Sequence, residues 1–291
     1  MACSLRAFFC CQTVDTSRFL CYNYLKRGEG CVFMYLLLNS LLSDKSGGIT
    51  FKCFGIWHLL YVLAAVAAVI AAIFYLKNKD IKSRKAVING SINIAFGLYV
   101  ADFFLMPLAY GEIDIEKLPF HVCTATCVLC FLSRRLPALE KYSSHTALLG
   151  FISNLVYLIY PAGVMWYGVH PLSYRVLQTL LFHGVMTVYG VLTLIFERDK
   201  LSLKAAHADL ILLAIITLWA ILGNAVYNGE SEGYKHFFNW FFVVRDPFYI
   251  LPEGIAPFVM PPLNIALFFT AELAVYGIIR LSEWACGRRA R

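Results

Sequence analysis

Seven apolar stretches divide the chain, near residues 54–76, 86–107, 118–135, 145–161, 173–196, 207–227 and 262–283. Each comes close to the ~20 residues that a helix needs to cross roughly 30 Å of hydrocarbon, and the fourth is the shortest. Only helices satisfy their own backbone groups in lipid without closing a barrel. The pattern therefore predicts an all-α polytopic membrane protein, seven transmembrane helices in one bundle over residues 54–283. No internal repeat and no low-complexity linker interrupts it.

The polar positions between the stretches alternate in character. Lys77, Lys79, Lys82, Arg84 and Lys85 follow the first stretch; Arg134, Arg135 and Lys141 follow the third; Arg198, Lys200 and Lys204 follow the fifth. The basic tail 284–291 carries Arg288, Arg289 and Arg291. Glu112, Asp114 and Glu116 dominate the second loop, and Glu230, Glu232 and Glu253 the sixth. Lys and Arg collect on the cytoplasmic side of short loops. This predicts the N-terminus outside and the C-terminus in the cytoplasm.

Composition agrees with the pattern. The chain is 60% hydrophobic and 15% charged, with a mean hydropathy of +0.67. Soluble domains average about 45–50% apolar and about 25% charged. The net charge of +7 sits in the short loops, with no basic stripe interleaved with aromatics. The expected partners are membrane lipids, not nucleic acid; the oligomeric state is not legible. Residues 1–33 do not fit the scheme. They hold Cys3, Cys10, Cys11, Cys21 and Cys31, half of the ten cysteines, and Arg6, Arg18, Lys26 and Arg27 on the side assigned as outside. One reading is a disulfide-tied extracytoplasmic cap. The preferred one is a non-native or disordered extension upstream of a start at Met34, with 34–53 a pre-membrane segment.

The chemistry collects in a few intramembrane polar residues, which are costly in hydrocarbon and mark functional sites. At the mouth of the third stretch stands Leu118-Pro119-Phe120-His121-Val122-Cys123-Thr124-Ala125-Thr126-Cys127. Pro119 suits a first helical turn, and Cys123, Cys127 and Cys130 then share one face. Free cysteines also pack as small apolar residues, the reading preferred for Cys127 and Cys130. Two thiols fall short of the four ligands of a zinc site, so no metal and no cofactor is expected. His183, in Gln178-Thr179-Leu180-Leu181-Phe182-His183, sits roughly 14 Å into the fifth stretch. A neutral imidazole there can serve as general base toward a thiol within reach.

His58, near the outer end of the first stretch, is expected to face the cavity that His121 faces. Asp102 is expected to be solvated. Asn93, Asn154 and Asn264 read as interhelical hydrogen-bonding residues. Glu272 needs a partner, as a protonated packing group, a relay member or a headgroup contact. The run His236–Tyr249 is too aromatic for a free loop and reads as an interfacial lid, with Asn239 in it and Arg245 a candidate grip for phosphate. Pro247, Pro252, Pro257, Pro261 and Pro262 are expected to forbid a continuous helix there.

Leu118-Pro119-Phe120-His121-Val122-Cys123, Gln178 through His183, and Asp246-Pro247-Phe248-Tyr249 together resemble the YwaF-like integral membrane proteins, related to transmembrane-protein-164-type acyltransferases. The resemblance covers about residues 50–283 and is closer to the bacterial-like branch, which implies a bacterial plasma membrane. It implies a lipid acyltransferase or acyl hydrolase acting on phospholipid acyl esters, with Cys123 as nucleophile, His183 as base and His121 beside them. His58, Gln178, Asn239, Arg245 and Glu272 are the expected substrate contacts. The alternative is a non-catalytic transporter or receptor-like bundle whose histidines and Glu272 line a polar path.

Overall fold

The computed structural model describes residues 49–289 apart from 111–114, 166–167, 199–200, 202, 204–205 and 232–233. The readings of 1–33, and most of 34–53, lie outside the described residues. Seven longer helices follow in order: α1 Ile56–Leu76, α2 Ile81–Tyr110, α3 Val122–Ser133, α4 Ser143–Ile159, α5 Tyr174–Phe196, α6 Ala206–Tyr227 and α7 Ala256–Arg289. A single turn, Ala162–Met165, precedes α5, and a short antiparallel hairpin pairs Gly229–Ser231 with Tyr234–His236 after α6. α1, α2, α5, α6 and α7 are long and apolar enough to cross a membrane. α3 has 12 residues and α4 has 17, about 18 Å and about 26 Å at 1.5 Å per residue.

Local chemistry sets the ends. Leu118 precedes a proline, which disfavours helical backbone. The chain turns through Phe120, whose N–H reaches the Leu118 carbonyl at 2.7 Å. His121 stays extended, and the helix begins at Val122. Leu136 before Pro137 and Tyr160 before Pro161 are likewise non-helical and close the ends of α3 and α4. α7 corrects the proline expectation. It starts at Ala256 and runs through Pro261 and Pro262. Those rings remove the donors for the Pro257 and Phe258 carbonyls, so the cost falls in the opening turns, where the helix has few internal bonds to lose.

α5 is the most buried of the long helices and packs on α1, α2 and α4. α3 packs on α4 and α2, while α6 and α7 pair with each other and lean on α4. Small residues set the close approaches. A Cβ on Gly190 of α5 would lie 2.5 Å from the Phe151 Cβ of α4. Outer faces stay apolar: Leu59, Leu63, Val66 and Ile70 of α1 and Leu218 and Leu222 of α6 are exposed, as helices facing hydrocarbon require. Cys127 and Cys130 are fully buried in the core with Phe182, Met186 and Tyr189, and the Cys130 thiol donates to the Thr146 carbonyl at 3.2 Å.

Candidate functional site

Helices α2 to α5, α7 and the segment after the hairpin enclose a mostly apolar cavity of about 680 Å³. Cys123, His121 and His183 all line it, with Gln178 and Asn239. α3 and α5 meet through the shared core that holds Cys127 and Phe182, and both pack on α4 and α2. Cys123 is the second residue of α3. The first N–H groups of a helix lack internal partners and favour negative charge nearby.

The two imidazoles are held in opposite ways. His183 Nδ1 is 2.6 Å from the Asn154 side-chain oxygen, and the Asn154 amide nitrogen donates to the Gly150 carbonyl at 2.7 Å. That second bond turns the Asn154 oxygen toward His183. A carbonyl oxygen only accepts, so Nδ1 carries the hydrogen and Nε2 keeps its lone pair. Tyr157 stacks on the ring, centroids 3.9 Å apart. At His121 the assignment reverses. The Phe241 N–H donates to its Nδ1 at 3.3 Å, leaving the hydrogen on Nε2. One ring is a base and the other a donor. Among the described residues no hydrogen bond joins the Cys123 thiol to either ring; resting catalytic contacts are often long.

A charged rim adjoins them. Asp102 is buried, not solvated: Lys117 pairs with it at 3.2 Å and the Tyr174 hydroxyl donates to it at 2.9 Å. Lys117 comes from the short turn Ile115–Lys117, and it also approaches the Thr179 hydroxyl at 3.5 Å. Pairing within an apolar wall is what permits burial of that carboxylate.

The aromatic segment covers the cavity as a lid. Trp240 and Phe241 are buried in a short turn, Trp240–Phe242. Phe241, Phe242 and Tyr249 adopt φ of 54°, 51° and 56°, a left-handed conformation costly for bulky residues. Four asparagines hold it. Asn224 of α6 donates to the Trp240 carbonyl and accepts from the Trp240 N–H, both at 3.1 Å. Asn264 of α7 donates to the Phe241 carbonyl at 2.6 Å. Asn228 brackets Phe238, and Asn239 binds the backbone of Val244 and Arg245. Asp246 accepts three backbone N–H groups, from Phe248, Ile250 and Leu251. Those donors hold its carboxyl below the usual carboxylate range.

Of the remaining expected contacts, Gln178 and Asn239 line the cavity and His58, Arg245 and Glu272 do not. His58 does not line the cavity with His121. It is buried between the Phe54 N–H, which donates to its Nδ1 at 2.9 Å, and the Leu158 carbonyl, 2.7 Å from its Nε2. The bond to Leu158 ties the start of α1 to the end of α4, and the rings of Phe51 and Phe54 pack beside the imidazole. Arg245 pairs with Glu253 at 2.8 Å and sits over the Phe237 ring, outside the cavity wall. Glu272 is also outside that wall. Gln178 lines the cavity and donates to the Leu98 carbonyl at 3.4 Å. Asn239 lines it with its amide already spent on the lid backbone. Asn154 and Lys117 were missed as site residues. No sequence signal ties Asn154 to His183; Lys117, the lone cation among Glu112, Asp114 and Glu116, could have been singled out.

A family model described as the TMEM164 family matches residues 53–279. No curated protein and no solved structure matches the chain.

Proposed function

Because this chain belongs to the TMEM164 family of membrane proteins, we propose that it is an integral membrane lipid acyltransferase or acyl hydrolase working through Cys123. The observation that carries the reading is the pairing of oppositely oriented imidazoles around one apolar cavity, whose wall also holds a thiol at a helix start. In this reading α3 and α4 complete seven crossings, with the N-terminus outside.

His183 Nε2 takes the Cys123 proton as the sulfur attacks an ester carbonyl. The carbonyl oxygen gains the charge, facing the His121 Nε2–H and the start of α3. Collapse expels the lysolipid oxygen, which leaves with the proton from His183, and an acyl-thioester remains. A second lipid hydroxyl, or water, then gives its proton to His183 and attacks the thioester. Sulfur leaves as thiolate and recovers the proton. Asn154 keeps His183 in the basic tautomer throughout, as the third member of a thiol triad does. The apolar walls suit acyl chains, and the lid excludes water, which favours lipid over water as acceptor.

The test is acyl exchange between labelled phospholipids in nanodiscs. Cys123→Ser is expected to abolish exchange while the melting profile is kept; Cys127→Ser is expected to retain it. Wild-type exchange by Cys123→Ser refutes the nucleophile role.

A further inference from the structure

A second polar cluster lies away from the cavity wall, where α4, α6 and α7 meet. His145 of α4 and Asp209 of α6 approach within 2.8 Å. The Tyr276 hydroxyl of α7 donates to the other Asp209 oxygen at 2.9 Å and lies 3.1 Å from His145 Nδ1. Glu272, one turn before Tyr276 on α7, is wholly buried, and neither of its oxygens has a hydrogen-bond partner. Even with His145 charged, Asp209 cancels it, so an ionised Glu272 is an uncompensated buried charge, which proteins avoid by neutralising the group.

Two ligands could neutralise it: a metal cation or a proton. Both Asp209 oxygens are already taken, by His145 and Tyr276. Glu272 therefore offers two oxygens alone, too few for a hard cation, which takes about six. No metal-binding group of His, Cys, Asp and Glu occurs among the described residues. A second, smaller cavity gives access to the cluster. Tyr276 lines a separate basin of about 280 Å³ with Arg198, Arg280 and Glu283, at the bundle end opposite the lid. His207, near Asp209 in α6, faces outward. One turn before Glu272, Phe268 belongs to the wall of the main cavity.

We infer that Glu272 is a proton-binding site filled from the basin through Tyr276 and the Asp209–His145 pair. The ligand is a hydrogen ion, and its loading sets the charge between α4, α6 and α7, the helices that carry the lid anchors and His183's partner. This holds whether or not Cys123 is a nucleophile.

The experiment uses the full chain in lipid nanodiscs and reads the infrared C=O stretch of a buried protonated carboxylic acid at neutral pH. Wild type is expected to show a band that Glu272→Gln removes and Asp209→Asn only shifts. Tyr276→Phe, which keeps the ring and cuts the relay, is expected to keep the band but slow its shift on transfer to D₂O. A spectrum in which Glu272→Gln removes no acid band overturns the proposal. So does a melting temperature that rises with Na⁺ over choline in wild type and not in Glu272→Gln, which assigns the site to a metal cation. Equal exchange rates in wild type and Tyr276→Phe overturn the basin route.

Discussion

Asn154→Ala isolates the contact that orients His183, the proposed base. The wild-type pair spans 2.6 Å and is buried on both sides. Alanine deletes the acceptor and leaves the His183 Nδ1–H unsatisfied, at a cost of about 1–3 kcal/mol. That cost falls on the tautomer with a bare Nε2, the one able to take the thiol proton. At about 1.4 kcal/mol per tenfold, the competent population and the rate through it drop roughly 5- to 150-fold. Asn154→Asp keeps an acceptor of the same reach and is expected to recover most of the rate. The assay is the rate of Cys123 alkylation by iodoacetamide, site by site, alongside acyl exchange, each across pH. Cys127 and Cys130, in the core, serve as internal references. A purely packing Asn154 lowers the melting temperature but leaves the Cys123 rate and its pH profile unchanged. Wild-type alkylation of Cys123 in folded Asn154→Ala refutes the orientation argument.

Other substitutions test the frame around the site. Gly190→Ala drives a Cβ into Phe151 and is expected to destabilise the α4–α5 seam by about 1–3 kcal/mol, read by thermal denaturation in detergent. Glu197→Ala strips the partner at 2.6 Å from buried Arg134 and is expected to cost about 3–5 kcal/mol; Arg134→Met with Glu197→Leu recovers much of it. The Asp246 carboxyl lies below its unfolded value near 3.9. Its contribution to lid order is therefore complete above that pH and lost only as pH falls through the lower folded value. Amide exchange at Phe248, Ile250 and Leu251 is expected to stay slow at pH 5 and to quicken in Asp246→Asn at pH 5 and above, the difference closing as pH falls through the folded value.

The helices α1, α5 and α6 match the apolar stretches within about two residues, because hydrophobic length sets a helix long enough to cross hydrocarbon whichever face it buries. α3 begins later than its stretch, since Leu118 and Pro119 are apolar yet shaped for a turn. α7 begins earlier, since prolines cluster in its opening turns. His121, Cys123 and His183 were visible as costly polar groups inside apolar runs, and the structure sets them around one cavity. Asn154 was legible as an interhelical hydrogen-bonding residue and does bridge α4 and α5; that its partner is His183 depends on how those helices pack, a long-range contact without a local signature. Asp102 looked solvated from its place near a helix end, and two distant groups explain its burial: Lys117, folding back from a neighbouring turn, and the Tyr174 hydroxyl. His58 illustrates the converse, a polar residue whose cost is met by two backbone groups with nothing left for a ligand.

The aromatic stack beneath the lid has a consequence for fidelity. Phe120 packs between Trp219 and Trp240, at 5.0 Å and 4.9 Å, and its ring rests on Gly223. The residue that follows it, His121, receives the lid's own Phe241 N–H. Lifting the lid therefore unfastens the turn leading into Cys123 and frees His121 Nδ1 in one movement. For the proposed acyl transfer this wiring means that an open lid leaves Cys123 and His121 out of register, so the reaction is expected only on molecules sealed inside.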